Sequence, residues 1–514
     1  MSSKPQLLVH WVKFSSDYYI AGRLAEATII PNPFTKHVRM AKHRSNCISV
    51  NQWHQWLKRF TFLILFILTT HLSAAGSKPN VLILLTDDQG TLDLNCYGAK
   101  DLNTPHMDSL AETGVRFTQA YAHTVCCPSR AALLTGRHPN RGGVQNWLQG
   151  DRNGSDAHNA NMKVTEITLA EVLRGAGYHT GLFGKWHLGA KVGHGPLDQG
   201  FDRFFGHLSG FIDNYTHYFL HGQGYHDLYD NNEEIFRRNE YFPVMIVDEA
   251  IAFIREKREA PFFAMVAFNL PHYPEQPIEE LKQAYPELEM PRQSYARVVE
   301  TVDRQIGRIL ETLEKAGKRD DTIIIFGSDN GHSEENNRGI TVNYHNSGYP
   351  IGHYYLAHGG GGYTGKWIGR KGTYLEGGVR VPMIISYPKK LPQGAVREQT
   401  ITIMDWMPTL IEILELSPPD AILDGHSILP IIEDSSAPTQ HPILHFDWQD
   451  KWAVREGDWK LIAVFNRSKK VMEYSLHNLA DAEPEVKDYV KEKPELVAHL
   501  MKLHEDWKNE VKPH

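Results

Sequence analysis

Four strand-like runs recur along the chain, at residues 81–85, 180–183, 262–268 and 322–326. Short, largely apolar runs of this kind are typical of strands that are buried on both faces of a parallel sheet. Helical patterns separate them, at residues 168–174, 244–257 and 293–316. This alternation restricts the chain to an α/β fold, in which a large, mostly parallel sheet is flanked by helices.

The pattern changes near residues 435–439, where the composition is that of a linker. Short strands are predicted after it at residues 442–446, 452–455 and 459–465, and a last helix at 495–511. We predict a main domain over residues 77–436 and a smaller C-terminal α+β domain with an antiparallel sheet over residues 437–514. Within the main domain we predict a helix at 401–416, and irregular loops at 200–230 and 336–369.

The N-terminal 76 residues are predicted to carry a targeting signal. Lys58 and Arg59 precede an apolar run at residues 60–68, and small residues follow at 71–76. This order is typical of a secretory signal peptide and predicts a secreted or periplasmic protein. The run is short for a spanning helix, so we expect no stable membrane span after cleavage, with an uncleaved anchor as the alternative. Residues 1–39 are predicted to be an upstream extension, absent from the native product.

Composition excludes two classes of protein. The 514 residues carry a net charge of -7 and include only four cysteines. The acidic balance, without a Lys/Arg block, argues against a nucleic-acid partner. Four cysteines in a chain of this length do not make a disulfide scaffold.

Each of the four strand-like runs leads into polar residues. In an open parallel sheet, ligands bind beyond the carboxyl ends of the strands, so these residues are candidates for one site. Taken singly, each has a structural interpretation as a turn former or a buried polar group. The residues are Asp87 and Asp88, Lys185 and His187, Asn269 and His272, and Asp329, Asn330 and His332.

The chemistry of this set points to a metal-assisted hydrolase. Asp87, Asp88, Asp329 and Asn330 offer the hard oxygen ligands that Ca²⁺ or Mg²⁺ prefers, rather than zinc. The set also brings fixed positive charge and imidazoles that move protons near neutral pH, which together fit the hydrolysis of an anionic ester. The cationic candidates are Arg130, Lys185 and Lys371, and the imidazoles are His187, His272 and His332.

Two adjacent cysteines, Cys126 and Cys127, precede a short helical pattern that Pro128 begins and Gly136 ends. A side chain at this helix start would face unpaired backbone N–H groups, and Arg130 adds positive charge. The pair could be a nucleophile, a metal ligand or a structural thiol pair, and the residues alone leave these alternatives open.

The sequence Cys126-Cys-Pro-Ser-Arg130, followed by Ala131-Ala-Leu-Leu-Thr-Gly136, resembles the type I sulfatase signature CxPSRxxxLTG. The further motifs Asp87-Asp88, Gly184-Lys-Trp-His187, Pro271-His272, Ser328-Asp-Asn-Gly331 and Lys371 occur in the order found in that family. The resemblance covers nearly all of the chain after residue 80. It implies an alkaline phosphatase-like fold and a sulfuric ester hydrolase.

The resemblance also implies a cofactor and roles for these residues. A dedicated maturation enzyme would oxidise Cys126 to formylglycine, whose hydrate attacks sulfur with one hydroxyl and expels sulfate with the help of the other. Ca²⁺, rather than Mg²⁺, would be bound by Asp87, Asp88, Asp329, Asn330 and the modified Cys126. Arg130, Lys185, His187, His272 and Lys371 would surround the sulfate. Cys127 fills the variable position of the signature and receives no role.

The substrate is predicted to be a sulfated carbohydrate, with a sulfated small molecule as the alternative. Asp213 and His217, in the aromatic loop at 200–230, and His332 are weaker candidates for substrate contacts. A phosphodiesterase or phosphonate monoester hydrolase of the same superfamily is the first rival function. A non-catalytic glycan-binding protein, in which Cys126 stays unmodified, is the second.

Overall fold

A computed structural model describes residues 78–147, 161–336 and 339–512. The predicted signal at residues 58–76 and the predicted extension at 1–39 lie outside these ranges. Across the described ranges, no helix has the length and apolar character needed to cross a membrane.

Strands position most of the site described below. In chain order the strands of the described residues are β1 Asn80–Asp87, β2 Val115–Tyr121, β3 His179–Lys185, β4 Arg203–His207, β5 Tyr218–Phe219, β6 Tyr225–His226, β7 Tyr229–Asp230, β8 Glu233–Glu234, β9 Phe262–Pro271, β10 Thr322–Ser328, β11 Met383–Ser386, β12 Ala395–Thr402, β13 Ile443–Trp448, β14 Lys451–Glu456, β15 Trp459–Asn466 and β16 Val471–Asn478.

The α-helices of the described residues are α1 Pro105–Glu112, α2 Cys126–Thr135, α3 Leu169–Gly175, α4 Phe242–Arg255, α5 Arg292–Lys315, α6 Glu376–Val379, α7 Trp406–Ile413, α8 Leu429–Glu433 and α9 Pro494–Glu510.

A ten-stranded sheet forms the centre of the main domain, in the order β12-β2-β11-β10-β1-β9-β3-β4-β7-β8. Its middle strands β10, β1, β9, β3 and β4 all run parallel. Residues of β1 alternate between two cores, with Ile83 on one face and Leu84 on the other. Helices α1, α4 and α5 cover the Leu84 face, and α2, α3, α7 and α8 cover the Ile83 face. The predicted α/β fold is confirmed.

Two sequence predictions inside this sheet were wrong. Strand β4, Arg203–His207, lies within the stretch predicted to be irregular. It has five residues and ends in Gly206 and His207, too short a run to stand out from its loop. The helix predicted at 401–416 begins later in the chain than predicted, because Ile401 and Thr402 belong to β12 and pair with β2. Helix α7 starts only at Trp406.

A second, four-stranded sheet in the order β13-β14-β15-β16 follows near the C-terminus, and all its pairs are antiparallel. Helix α9 packs on it through Leu500, which shares a core with Val454, Leu461 and Leu476. The predicted antiparallel C-terminal sheet is confirmed, although β16 was missed. The exact boundary at residue 436 stays a prediction.

A buried charge cluster joins this small sheet to the main domain. Lys460 of β15 is fully buried, and its Nζ donates to Glu376 Oε1 of α6 and to Glu485 Oε1, both at 2.9 Å. Replacing Lys460 with methionine would leave two buried carboxylates without their cation. We expect the free energy of unfolding to fall by about 3–5 kcal/mol, measured by denaturant titration.

Lys469→Met is the matched control. Lys469 pairs with Glu473 on the same small sheet, but both side chains are largely exposed. Exposed pairs of this kind contribute little, so its unfolding midpoint should match the wild type. Equal midpoints for the two variants would contradict a structural role for the buried cluster.

Candidate active site

The carboxyl ends of β1, β3, β9 and β10 meet at one edge of the large sheet, because these four strands are parallel neighbours. The polar residues that follow them are therefore brought together, as the sequence predicted. All are buried: Asp87, Asp88, Lys185, His187, His272, Asp329 and Asn330. Asn269 differs from these residues, because its side chain is used in a structural contact. Its Nδ2 donates a hydrogen bond to Asn214 Oδ1 at 2.7 Å inside the protein.

Two of these strands are followed by backbone in the left-handed region. Asp88 has φ 66° and His187 has φ 58°, which is uncommon for residues other than glycine. Each residue turns the chain within one or two positions of the strand end. Strained backbone of this kind is concentrated at functional sites, where the surrounding structure holds it in place.

Cys126 enters the same site from α2, of which it is the first residue. The helix ends at Gly136, whose φ of 63° is the left-handed conformation that glycine adopts readily. Cys126 is 1% exposed, and its Sγ lies 3.3 Å from Asp87 Oδ1. Burial, with Asp329 and Asp87 close by, raises the pKa of the Cys126 thiol well above its usual value. An unmodified thiol here stays protonated and is a poor nucleophile.

Each carboxylate of the site has a cationic partner. Arg130 Nη2 lies 2.8 Å from Asp329 Oδ2, Lys185 Nζ lies 2.6 Å from Asp87 Oδ2, and Lys371 Nζ lies 3.0 Å from Asp88 Oδ2. The sequence predicted the proximity of these groups but not their pairing. Each of these three carboxylates lies against a cation, so their mutual repulsion by itself does not require a metal.

The donor atoms nevertheless fit a divalent cation. Ligand atoms of Asp87, Asp88, Asp329 and Cys126 all lie within 4.8 Å of one another, and the four residues are buried. Asn330 Oδ1 is also buried and has no hydrogen-bond partner among the described residues. Its Nδ2 donates to Asp88 Oδ1 at 2.6 Å, and a half-turn of the amide would bring the oxygen to the cluster. Hard oxygen donors of this type suit Ca²⁺ or Mg²⁺.

The two histidines of the site differ in their surroundings. His272 Nδ1 lies 2.6 Å from the carbonyl oxygen of Tyr273, which fixes the ring and leaves Nε2 facing Asp88 Oδ2 at 3.7 Å. Within the part of the chain that the structure describes, both ring nitrogens of His187 lack hydrogen-bond partners. Burial, with Lys185 next in importance, lowers the pKa of His187 well below its usual value, so this imidazole is neutral and able to accept a proton.

A pocket of about 370 Å³ opens above the cluster, with Cys126 in its wall. Large aromatic and polar side chains surround it. Trp147 is the most prominent, since 42% of it is exposed. The lining residues are Cys126, Asn146, Trp147, His187, Gly210, Phe211, His221, His272, Tyr273, Glu335, Lys371 and Gln449.

Sequence reasoning missed several of these residues, Glu335 above all. Its Oε2 lies 3.1 Å from Lys371 Nζ and 3.9 Å from His272 Nε2. The only signal was its position five residues after Asn330, in a loop without periodicity. Gln449, at the β13–β14 turn, was missed because nothing in the sequence indicates that the small sheet reaches the pocket.

The three weaker substrate candidates do not line this pocket. Asp213 is fully buried, and its Oδ1 accepts hydrogen bonds from the backbone N–H groups of Tyr215 and Thr216. His217 is also fully buried, with Nε2 3.0 Å from the carbonyl oxygen of Glu240. His332 is buried, and its Nδ1 has no partner. These contacts shape the loops around the site.

Two family models match this chain. The Sulfatase model matches residues 79–416, and the model of the N-sulphoglucosamine sulphohydrolase C-terminal region matches residues 366–512. Because the first match covers more than half of the chain, the chain belongs to the sulfatase family. The predicted resemblance and the predicted class of enzyme, a sulfuric ester hydrolase, are confirmed.

Individual relatives and a solved structure support the same family. N-acetylgalactosamine-6-sulfatase of Canis lupus familiaris is 32% identical over 420 residues, covering 77% of this chain and 74% of the relative. Arylsulfatase D of Homo sapiens is 29% identical over 470 residues, covering 77% of this chain and 75% of the relative. The solved structure of Ps i-CgsB in complex with k-i-k-neocarrahexaose has a TM-score of 0.71 at 27% identity, covering 84% of this chain and 93% of that chain.

Proposed function

We propose that this sulfatase hydrolyses sulfate esters of carbohydrates with a calcium ion and a formylglycine made from Cys126. The observation that carries the proposal is the position of Cys126. It stands at the start of α2, among three buried carboxylates and beneath a pocket whose walls include Lys371, His187 and His272.

Asp87, Asp88, Asp329, Asn330 and residue 126 would hold the calcium ion. When bound, the ion supplies Lewis-acid polarisation of a sulfate oxygen and stabilises a deprotonated nucleophile. Formylglycine at residue 126, when hydrated, would supply one hydroxyl to attack sulfur as the alcohol leaves, and a second whose deprotonation would re-form the aldehyde and release sulfate. A maturation enzyme that oxidises Cys126 is therefore a required partner.

The cations of the site stabilise the charge that develops on the sulfate group. Arg130 is fixed from two sides, since its Nε donates to Asp329 Oδ2 and its Nη1 to the carbonyl oxygen of Lys185, both at 2.9 Å. Lys185 is held in turn by Asp87 at 2.6 Å. Because these groups are fixed before substrate binds, they need no reorganisation during the reaction.

Proton transfer falls to the groups that line the pocket. His272 Nε2 and Lys371 Nζ share the neighbours Asp88 and Glu335. Lys371 is a cation and can protonate the leaving alcohol, whereas His272 could do so only as an imidazolium, and burial lowers the pKa of His272. His187, neutral and with both ring nitrogens unpartnered, is suited to take a proton from the second hydroxyl of the hydrate.

The pocket supports a carbohydrate as the leaving group. Exposed Trp147 makes an edge contact with Trp448 at 5.3 Å between ring centroids, and this pair offers a face for a sugar ring. Asn146 and Gln449 add amides beside it, linked by a 3.0 Å hydrogen bond. The names of the relatives support the same class, since one refers to N-acetylgalactosamine and the similar solved structure contains neocarrahexaose.

A sulfate-release screen tests this function. Protein co-expressed with a formylglycine-generating enzyme should release inorganic sulfate from at least one defined sulfated saccharide, and added EDTA should reduce the rate. An aryl sulfate and an aryl phosphodiester are assayed beside the saccharides. Faster turnover of the phosphodiester would favour a phosphodiesterase, and saccharide binding without sulfate release would favour a glycan-binding protein.

A further inference from the structure

Glu335 is an acidic side chain in a pocket that must accept an anionic ester. It lines the pocket with Cys126, and 43% of its side chain is exposed. The Asp88 side chain beneath it is only 2% exposed. Lys371 Nζ bridges the two carboxylates, at 3.0 Å from Asp88 Oδ2 and 3.1 Å from Glu335 Oε2. Glu335 therefore occupies the outer side of Lys371, and Asp88 the inner side.

This placement puts Glu335 beside the leaving group rather than the sulfate. The sulfur atom of an ester must approach residue 126, which is 1% exposed at the base of the pocket. The alcohol part then extends outward, past Lys371 and His272, toward the exposed carboxylate. A carboxylate at the Glu335 position contacts the substituent of the alcohol that lies next to the esterified oxygen.

The Glu335 side chain is held in position and charged. Ser333 Oγ donates a hydrogen bond to Glu335 Oε2 at 3.0 Å. The backbone of Glu335 is also held, because the N–H of Gly359 donates to its backbone carbonyl oxygen at 3.1 Å. Burial raises the pKa of Glu335, but Lys371 and His272 outweigh this effect and bring the pKa to about 2. A fixed carboxylate accepts hydrogen bonds and repels other anions.

We propose that Glu335 is a specificity residue, which selects substrates by the group adjacent to the sulfate ester. This inference rests on the proposed sulfatase function. The carboxylate accepts a hydrogen bond from a neighbouring hydroxyl or amide N–H, and it disfavours a second sulfate or a carboxylate in the same place. The enzyme therefore acts on saccharides that carry an isolated sulfate next to a neutral hydrogen-bond donor.

Matched substrate pairs test the inference. The pairs are N-acetylgalactosamine 6-sulfate with N-acetylgalactosamine 4,6-disulfate, and catechol monosulfate with catechol disulfate. For each pair, kcat/KM is measured for the wild type and for Glu335→Gln. The wild type should prefer the monosulfate, and the variant should lose that preference by at least about tenfold, because the amide repels no anion.

Glu334→Gln is the control, because Glu334 adjoins Glu335 but its Oε2 pairs with Arg370 at 2.9 Å. It should keep the wild-type preference. A Glu335→Gln variant that keeps the preference, or that slows both members of a pair in the same proportion, would overturn the inference.

Binding measurements keep the inference separate from the proposed chemistry. In the Cys126→Ala background, calorimetry with the same pairs should show tighter binding of the monosulfate, and adding Glu335→Gln should remove the difference. Absence of turnover with all four probes would count against the proposed function, whereas equal binding of both members by Cys126→Ala would refute the role of Glu335.

Discussion

Replacing Cys126 with alanine should reduce sulfate release by at least about 10³-fold, because the variant lacks the only source of the proposed nucleophile. The fold should remain intact. Cys126 makes one side-chain hydrogen bond, to Asp87 at 3.3 Å, and Asp87 keeps its stronger contact with Lys185 at 2.6 Å. Activity is measured as released sulfate, and folding by circular dichroism and the melting temperature.

Cys127→Ala is the matched control for that result. Cys127 is the next residue of α2 and is fully buried, but it belongs to the hydrophobic core beneath the sheet. This variant should keep most of its activity and lose a modest amount of stability. Loss of activity in Cys127→Ala together with an active Cys126→Ala would mean that the wrong cysteine has been assigned.

The second large effect concerns Asp329, which has two functions in the site. It offers an oxygen to the proposed calcium ion, and it pairs with buried Arg130 at 2.8 Å. Asp329→Asn should lose bound calcium and reduce kcat/KM by at least about 10²-fold. It should also lower the free energy of unfolding by about 3 kcal/mol, because Arg130 loses its ionic partner inside the protein.

Asp321→Asn provides the comparison at the other end of the same strand. Asp321 precedes β10 and pairs with Lys389 at the surface, where 39% of its side chain is exposed. Calcium content, measured by elemental analysis, and sulfate release should equal those of the wild type. Full calcium occupancy in Asp329→Asn would contradict its assignment as a ligand.

The sequence predicted which polar residues lie together at the edge of the sheet, and the reason is physical. Strands buried on both faces must be apolar throughout, so β1 and β10 stand out, and their carboxyl ends must adjoin in a parallel sheet. Asp87, Asp88, Asp329 and Asn330 follow directly from this rule. The signature around Cys126 added the residue that enters from α2, which no strand pattern could have placed.

The outer part of the pocket could not be predicted in the same way. Glu335 lies in a loop whose path depends on contacts far away in sequence, such as the hydrogen bond from Gly359. Gln449 reaches the pocket only because the small sheet docks there, and its backbone φ of 56° is set by the β13–β14 turn. Periodicity carries no information on such long-range packing.

The pairing of charges also had to be seen in the structure. The sequence indicated that three carboxylates lie near one another and predicted a divalent cation from their hard oxygen donors. Arg130, Lys185 and Lys371 pair with these three carboxylates, and Lys371 is shared with Glu335. The proposal of calcium therefore depends on the geometry and chemistry of the donors, including the unpartnered Asn330 Oδ1.

Mass spectrometry of the tryptic peptide spanning residues 117–130 tests the central claim most directly. Protein that releases sulfate should yield this peptide with an aldehyde in place of the thiol at residue 126, located by fragmentation, and with Cys127 unchanged. The aldehyde fraction should rise in proportion to the specific activity across preparations. A fully active preparation in which residue 126 is an unmodified cysteine would contradict the account.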